Sequence, residues 1–215
     1  SHLLQVLALV AMEPPVTMGA DDIRAEKSKI LAAVRPTKPA EVARRAARGQ
    51  YAGAGERPGY RQEPGVAAES RIETFAALKV YLDSWRWEGV RFYVRSGKRM
   101  PRKLTEIVVR FRSTPHCLFR QGAKGDCGLP SNQIVINVQP DEGIRLRFGG
   151  LVPGSRMQIE PVVMEFDYLE HFDAQLREAY TTLLMDAIRG DQTLFKHRDE
   201  IERSWRIVEP VLDAW

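Results

Sequence analysis

Gln133-Ile-Val-Ile-Asn-Val-Gln-Pro-Asp-Glu-Gly-Ile-Arg-Leu-Arg-Phe148 decides the fold class of this chain. Ile134, Ile136 and Val138 alternate with Val135 and Asn137, and Ile144, Leu146 and Phe148 alternate with Arg145 and Arg147. A side-chain period of two belongs to extended strands in a sheet with one wetter face. Pro140-Asp-Glu-Gly143 between the two runs is turn chemistry, so the stretch predicts an antiparallel hairpin. Residues 106–112 carry the same period, with Ile107, Val109 and Phe111 against Val108, Arg110 and Arg112. Residues 90–95 and 163–168 also read as strands. Residues 74–82 are apolar enough for a strand or a helix, and pattern alone does not choose.

Helical texture flanks the strands. Residues 3–12 are apolar nearly all round, which predicts a helix buried on several sides. They also resemble a signal-peptide core faintly, without its basic start or small-residue cleavage site. Pro14-Pro15 ends that helix. Asp21-Asp22 supplies an N-cap and first-turn acids for a second helix, whose Ile23, Ile30, Leu31 and Val34 share one face. Residues 40–48 read as a short helical turn, and residues 49–65 as irregular loop. Residues 174–188 predict a helix carrying Leu176, Tyr180, Leu183, Leu184 and Ile188, closed by Gly190. A last helix begins near Asp199 with Ile201, Trp205 and Val208 inward, and Pro210 interrupts or restarts it. Strands in a run between helices argue an α+β fold, a large mainly antiparallel sheet packed with helices. One domain over 1–215 is expected. No Gly-rich strand-to-helix turn for a dinucleotide is present, so a Rossmann domain is not expected here.

Composition is ordinary for a globular protein, with 44% hydrophobic and 28% charged residues in 215. No stretch is long and apolar enough to span a membrane, and no membrane partner is expected. Two cysteines, Cys117 and Cys127, form no disulfide framework, so a reduced, cytoplasmic setting is the default, with a single loop disulfide as the alternative. No Cys/His spacing suits a metal. His116, His171 and His197 read as surface or capping residues.

Positive charge is concentrated. Residues 86–124 hold eleven Lys/Arg and two Asp/Glu, a local balance of +9 in a chain of +4. Within it lies Arg95-Ser-Gly-Lys-Arg-Met-Pro-Arg-Lys103, between two predicted strands. Gly97 frees the backbone to turn, and Pro101 stiffens the return. Several cations on a short rigid loop suit a phosphorylated small molecule. A solvated basic hairpin is the plain alternative. No recognition helix or zinc-finger spacing accompanies the charge, so nucleic acid is not expected as a partner.

Several segments, in order, resemble the C-terminal domain of glucose-6-phosphate dehydrogenase. They include His2-Leu-Leu-Gln5, Asp22-Ile-Arg-Ala-Glu-Lys27, Gly49-Gln-Tyr51, Trp85-Arg-Trp-Glu-Gly-Val90, Phe92-Tyr-Val-Arg-Ser-Gly-Lys98, Asn132-Gln-Ile-Val-Ile136 and Val138-Gln-Pro140. The resemblance implies the substrate and dimerisation part of an oxidoreductase that converts D-glucose 6-phosphate to 6-phospho-D-glucono-1,5-lactone with NADP, the first step of the oxidative pentose phosphate pathway. It implies NADP held mainly by a separate N-terminal domain, a homodimer or higher homo-oligomer formed through the sheet, and no turnover by this chain alone. His2 falls at the family's general base, although Ser1 stands where the family has Asn, and Ser1-His2 also reads as a tag remnant. Lys98 and Lys103 match two cationic substrate positions, and Gln139 matches one that hydrogen-bonds the sugar. Arg99 is expected to point to solvent. Arg95 matches part of the vertebrate structural NADP site, but Leu104, Val108 and Asn137 replace its basic partners, so no cofactor-binding residue is expected. The rival reading is a non-catalytic phosphosugar-binding or dimerisation module.

Overall fold

The computed structural model describes residues 2–113, 131–154, 158–172 and 179–215. Cys117, Cys127, His116 and Leu176 lie outside these. The chain divides into two compact units, Ser1–Met100 with Glu178–Trp215, and Pro101–Arg177. Every strand pairing among the described residues is antiparallel, in a three-stranded and a four-stranded ladder, which with the helices makes an α+β architecture.

In the first unit, helices α1 (His2–Ala11) and α2 (Ala20–Ala33) precede the short α3 (Val42–Arg45) and strands β1 (Ala46–Gly49), β2 (Phe75–Val80) and β3 (Phe92–Gly97). The sheet order is β1-β2-β3. Residues 46–49 are therefore a strand, not the continuation of a helical turn. Four residues carry too weak a local signal, and pairing with β2 decides them. The same pairing settles the ambiguity at 74–82. β2 is bonded on both sides, to β1 and β3, which only an extended strand permits.

α1 buries Leu4, Leu7, Ala8 and Ala11 but leaves Leu3 and Leu9 exposed, so its burial is one-sided rather than all round. This face meets Ile30, Leu31 and Val34 from α2 and its end, and Val80 and Leu82 from the sheet region. The Trp87 indole N–H donates to Ala11 O at 2.8 Å and satisfies a carbonyl at the end of α1. α2 is entered from Gly19 rather than capped by Asp21 or Asp22. Those acids occupy its first turn, where the helix dipole favours them.

Helices α5 (Ala179–Arg189) and α6 (Arg198–Asp213) complete this unit. α5 ends at Gly190 in the left-handed conformation (φ +73°), as the sequence predicts. Its Tyr180, Leu184 and Ile188 are exposed. α6 differs from expectation in phase. Glu200, Ser204, Ile207 and Val211 face inward and Val208 is partly buried, while Ile201 and Trp205 are about half exposed. A buried ion pair causes the shift, because Lys27 of α2 meets Glu200 Oε2 at 3.1 Å and draws that face inward. Pro210 does not interrupt the helix. Its missing N–H costs one bond within the helix, and buried Val211 anchors the turn that carries it. His197 caps α6, accepting from the Asp199 N–H at 3.4 Å.

The second unit is the ladder β4 (Thr105–Arg110), β5 (Gln133–Gln139), β6 (Gly143–Leu151) and β7 (Ile159–Asp167), in that order. The predicted hairpin is β5–β6, registered Ile134↔Leu146 and Ile136↔Ile144. In β5 the buried residues are Val135 and Asn137, while Ile134, Ile136 and Val138 are half-buried. β7 begins four residues before the predicted start, and Tyr168 opens α4 (Tyr168–Phe172) instead of ending the strand. Asp167 causes the switch, its carboxylate accepting from the Leu169 and Glu170 N–H groups at 2.8 and 3.2 Å. The His171 ring stands 4.9 Å from Phe172 and 5.1 Å from Phe166, a packed surface residue.

Candidate functional site

The basic loop is not a hairpin. β3 pairs with β2 and β4 pairs with β5, so residues 98–104 connect strands of different ladders. Its first half is tied down. The Lys98 N–H donates to Thr74 O at 2.8 Å, continuing the β2–β3 ladder beyond Phe75↔Gly97. Gly97 is needed for space, not for a positive φ. A Cβ there would stand 2.8 Å from Met100 Sδ and 2.9 Å from Phe75 Cδ2. The positive φ falls on Arg99, at +51°.

Arg99 does not point freely to solvent. Its guanidinium pairs with Glu63 and donates to Pro58 O at 3.1 Å. It also lies 4.8 Å over the Tyr51 ring. A planar fork can pair, donate and stack at once, which a solvated reading of a turn arginine omits. The Lys98 side chain is exposed beside it. Arg99 is thus held by protein contacts, although its side chain remains 43% exposed, and Lys98 beside it is exposed as well.

The other site residues are placed by their own elements. His2 is the first residue of α1 and is exposed. Three residues on, Gln5 Oε1 accepts from Lys27 Nζ at 3.3 Å, which ties the first turn of α1 to α2. Gln139 ends β5 and stands opposite Thr105, the first residue of β4. Lys103 precedes Thr105 by two residues. The second unit therefore brings exposed Lys103 and exposed Gln139 to one end of its ladder. His2 and Lys98 belong to the first unit, on elements that pack into one core through Leu4, Leu7 and Val94.

The raised arginines lie elsewhere. Arg35 beside Asp83, Arg145 beside Glu165 and Arg198 beside Glu202 are held further toward the charged form by hydrogen bonds to those carboxylates. No group of three or more potential metal ligands occurs among the described residues. No helix there is long and apolar enough to cross a membrane. Sequence reasoning missed the Arg99–Glu63–Tyr51 cluster and the Lys27–Glu200 pair. The segment Gly49-Gln-Tyr51 was the one available signal for the first.

Residues 1–215 match the family described as glucose-6-phosphate dehydrogenase, C-terminal domain. The glucose-6-phosphate 1-dehydrogenase of Aggregatibacter actinomycetemcomitans is 44% identical over 218 residues, covering 99% of this chain and 43% of that protein. A crystal structure of the Mycobacterium avium enzyme aligns at TM-score 0.81 and 39% identity, over 99% of this chain and 42% of that one. A glucose-6-phosphate dehydrogenase solved in complex with its substrate glucose-6-phosphate aligns at TM-score 0.86 and 33% identity, over 99% and 42%. The chain thus spans about two fifths of the length of the relatives it matches.

Proposed function

The chain belongs to the glucose-6-phosphate dehydrogenase C-terminal domain family, and on that premise we propose that the protein carrying it oxidises D-glucose 6-phosphate to 6-phospho-D-glucono-1,5-lactone with NADP. This is the entry step of the oxidative pentose phosphate pathway, in the cytoplasm. The observation that carries the reading is Lys98, an exposed ammonium on a backbone pinned to Thr74, next to an arginine already neutralised by Glu63. An ammonium at a fixed stem base is a suitable point charge for a phosphate dianion.

By resemblance to the family, Lys103 is assigned a cationic substrate role and Gln139, at the same end of its own ladder, a donor and acceptor for sugar hydroxyls. His2 accepts the C1 hydroxyl proton as the C1 hydride departs, a role open to an imidazole nitrogen acting as general base. A nicotinamide cofactor, when bound, would supply the hydride acceptor. The described strands pair only antiparallel, so they hold no βαβ cradle for it, and its binding is assigned outside this chain. The chain alone is accordingly inactive. Dimerisation is assigned to the four-stranded sheet, where Val163 and Met164 of β7 are 52% and 60% exposed.

Steady-state kinetics of the complete enzyme test the reading. Lys98→Ala is expected to raise the substrate KM by the roughly 1.5–3 kcal/mol of a charge-assisted hydrogen bond, about ten- to a hundredfold. An unchanged KM would refute the assignment.

A further inference from the structure

We propose that Glu63, Tyr51 and Arg99 form a brace that positions Lys98 for the substrate phosphate, an inference that rests on the reading of Lys98 above. The contacts form a closed circuit. Thr74 O accepts the Lys98 N–H at 2.8 Å, and Thr74 Oγ1 accepts the Tyr51 N–H at 2.9 Å. The Tyr51 ring carries the Arg99 guanidinium at 4.8 Å, and Arg99 is bonded to Lys98 through the chain. Glu63 closes the circuit from the far side, pairing with Arg99 and accepting from the Tyr51 hydroxyl at 3.4 Å. Tyr60 packs edge-on against Tyr51 at 5.7 Å, and its N–H donates to Tyr51 O at 3.1 Å.

Arg99 holds a left-handed backbone, φ +51°. A non-glycine residue keeps that conformation where its surroundings impose it. Here the imposition comes from Glu63, Pro58 O and the Tyr51 ring. The consequence falls on the preceding residue. Lys98 has a long stem with many rotamers, so its worth to a bound anion depends on how firmly its Cα is set.

The sign of one substitution separates this role from a direct one. If Arg99 were itself a phosphate ligand, removing Glu63 would free a cation near the anion and lower KM. A brace gives the opposite sign, because losing Glu63 releases Arg99 and loosens Lys98.

The test uses the complete enzyme and six variants. Glu63→Gln and Arg99→Ala are each expected to raise the substrate KM about three- to tenfold with kcat unchanged, less than the loss of a direct contact. The double variant should be no worse than either single. Arg99→Lys should behave as Arg99→Ala, because an ammonium cannot pair, donate to Pro58 O and stack together. Adding Glu63→Gln to Lys98→Ala should change KM no further, since the brace acts only through Lys98. A general loss of structure would not vanish in that background. Amide exchange at residues 98–100 should quicken in Glu63→Gln, which reports the brace apart from turnover. A lowered or unchanged KM in Glu63→Gln overturns the brace while leaving Lys98 as a ligand. A Glu63→Gln effect that persists undiminished beside Lys98→Ala overturns it too. An unchanged KM in Lys98→Ala overturns the site reading itself.

Discussion

Glu200→Ala is expected to loosen the helical layer beneath α1 far more than removal of an exposed ion pair would. Lys27 and Glu200 have side chains only 6% and 1% exposed, with Nζ and Oε2 3.1 Å apart. At an effective dielectric near 20 their gross attraction is about 5 kcal/mol, much of it offset by the desolvation of two ions. The pair also lacks hydrogen-bond alignment at Oε2, so charge attraction carries it. Removing Glu200 leaves the ammonium with Gln5 Oε1 alone, at 3.3 Å, in a site closed to water. An uncompensated buried charge costs about 3–5 kcal/mol, or two to nearly four powers of ten in an opening equilibrium. Amide hydrogen exchange at Ile30 and Leu31 of α2, measured on the complete protein, reads that opening directly. The apolar double variant Lys27→Met/Glu200→Leu should recover most of that loss, because it removes both charges and keeps volume, and falls short only by the capping bond Glu200 Oε1 accepts from the His197 N–H at 3.3 Å. Acceleration below about tenfold in Glu200→Ala would refute the reasoning, as would a double variant as loose as the single.

His2→Ala in the complete enzyme should lower kcat by about a hundredfold or more with little change in KM, because a base acts in the transition state. A raised KM at constant kcat would instead make His2 a binding residue. Sedimentation of the protein at tens of micromolar should show a dimer, and Met164→Lys on β7 should shift it toward monomer. A monomer in the parent would remove the sheet as the assembly surface.

The strands of the second unit were legible because the period of two in 133–148 is a local property of the chain, and the Pro140–Gly143 turn sets their register. The α2 face was legible for the same reason, with Ile23, Ile30 and Leu31 at helical spacing. The candidate ligands Lys98, Lys103 and Gln139 and the candidate base His2 came from motif order, and folding adds that Lys103 and Gln139 share one ladder end. What the chain could not disclose was non-local. A four-residue edge strand at 46–49 exists only because β2 lies beside it. α6 turns Glu200 inward against its own apolar pattern because Lys27, 173 positions earlier, needs a counter-charge. Arg99 reads in sequence as one more solvated cation, and only the approach of Tyr51 and Glu63 engages it. Periodicity and turn chemistry are written in neighbouring residues, so sequence alone determined the fold class, and motif order alone singled out the candidate lysines. Charge pairing and stacking depend on which distant groups come within a few ångströms, and that the tertiary structure decided.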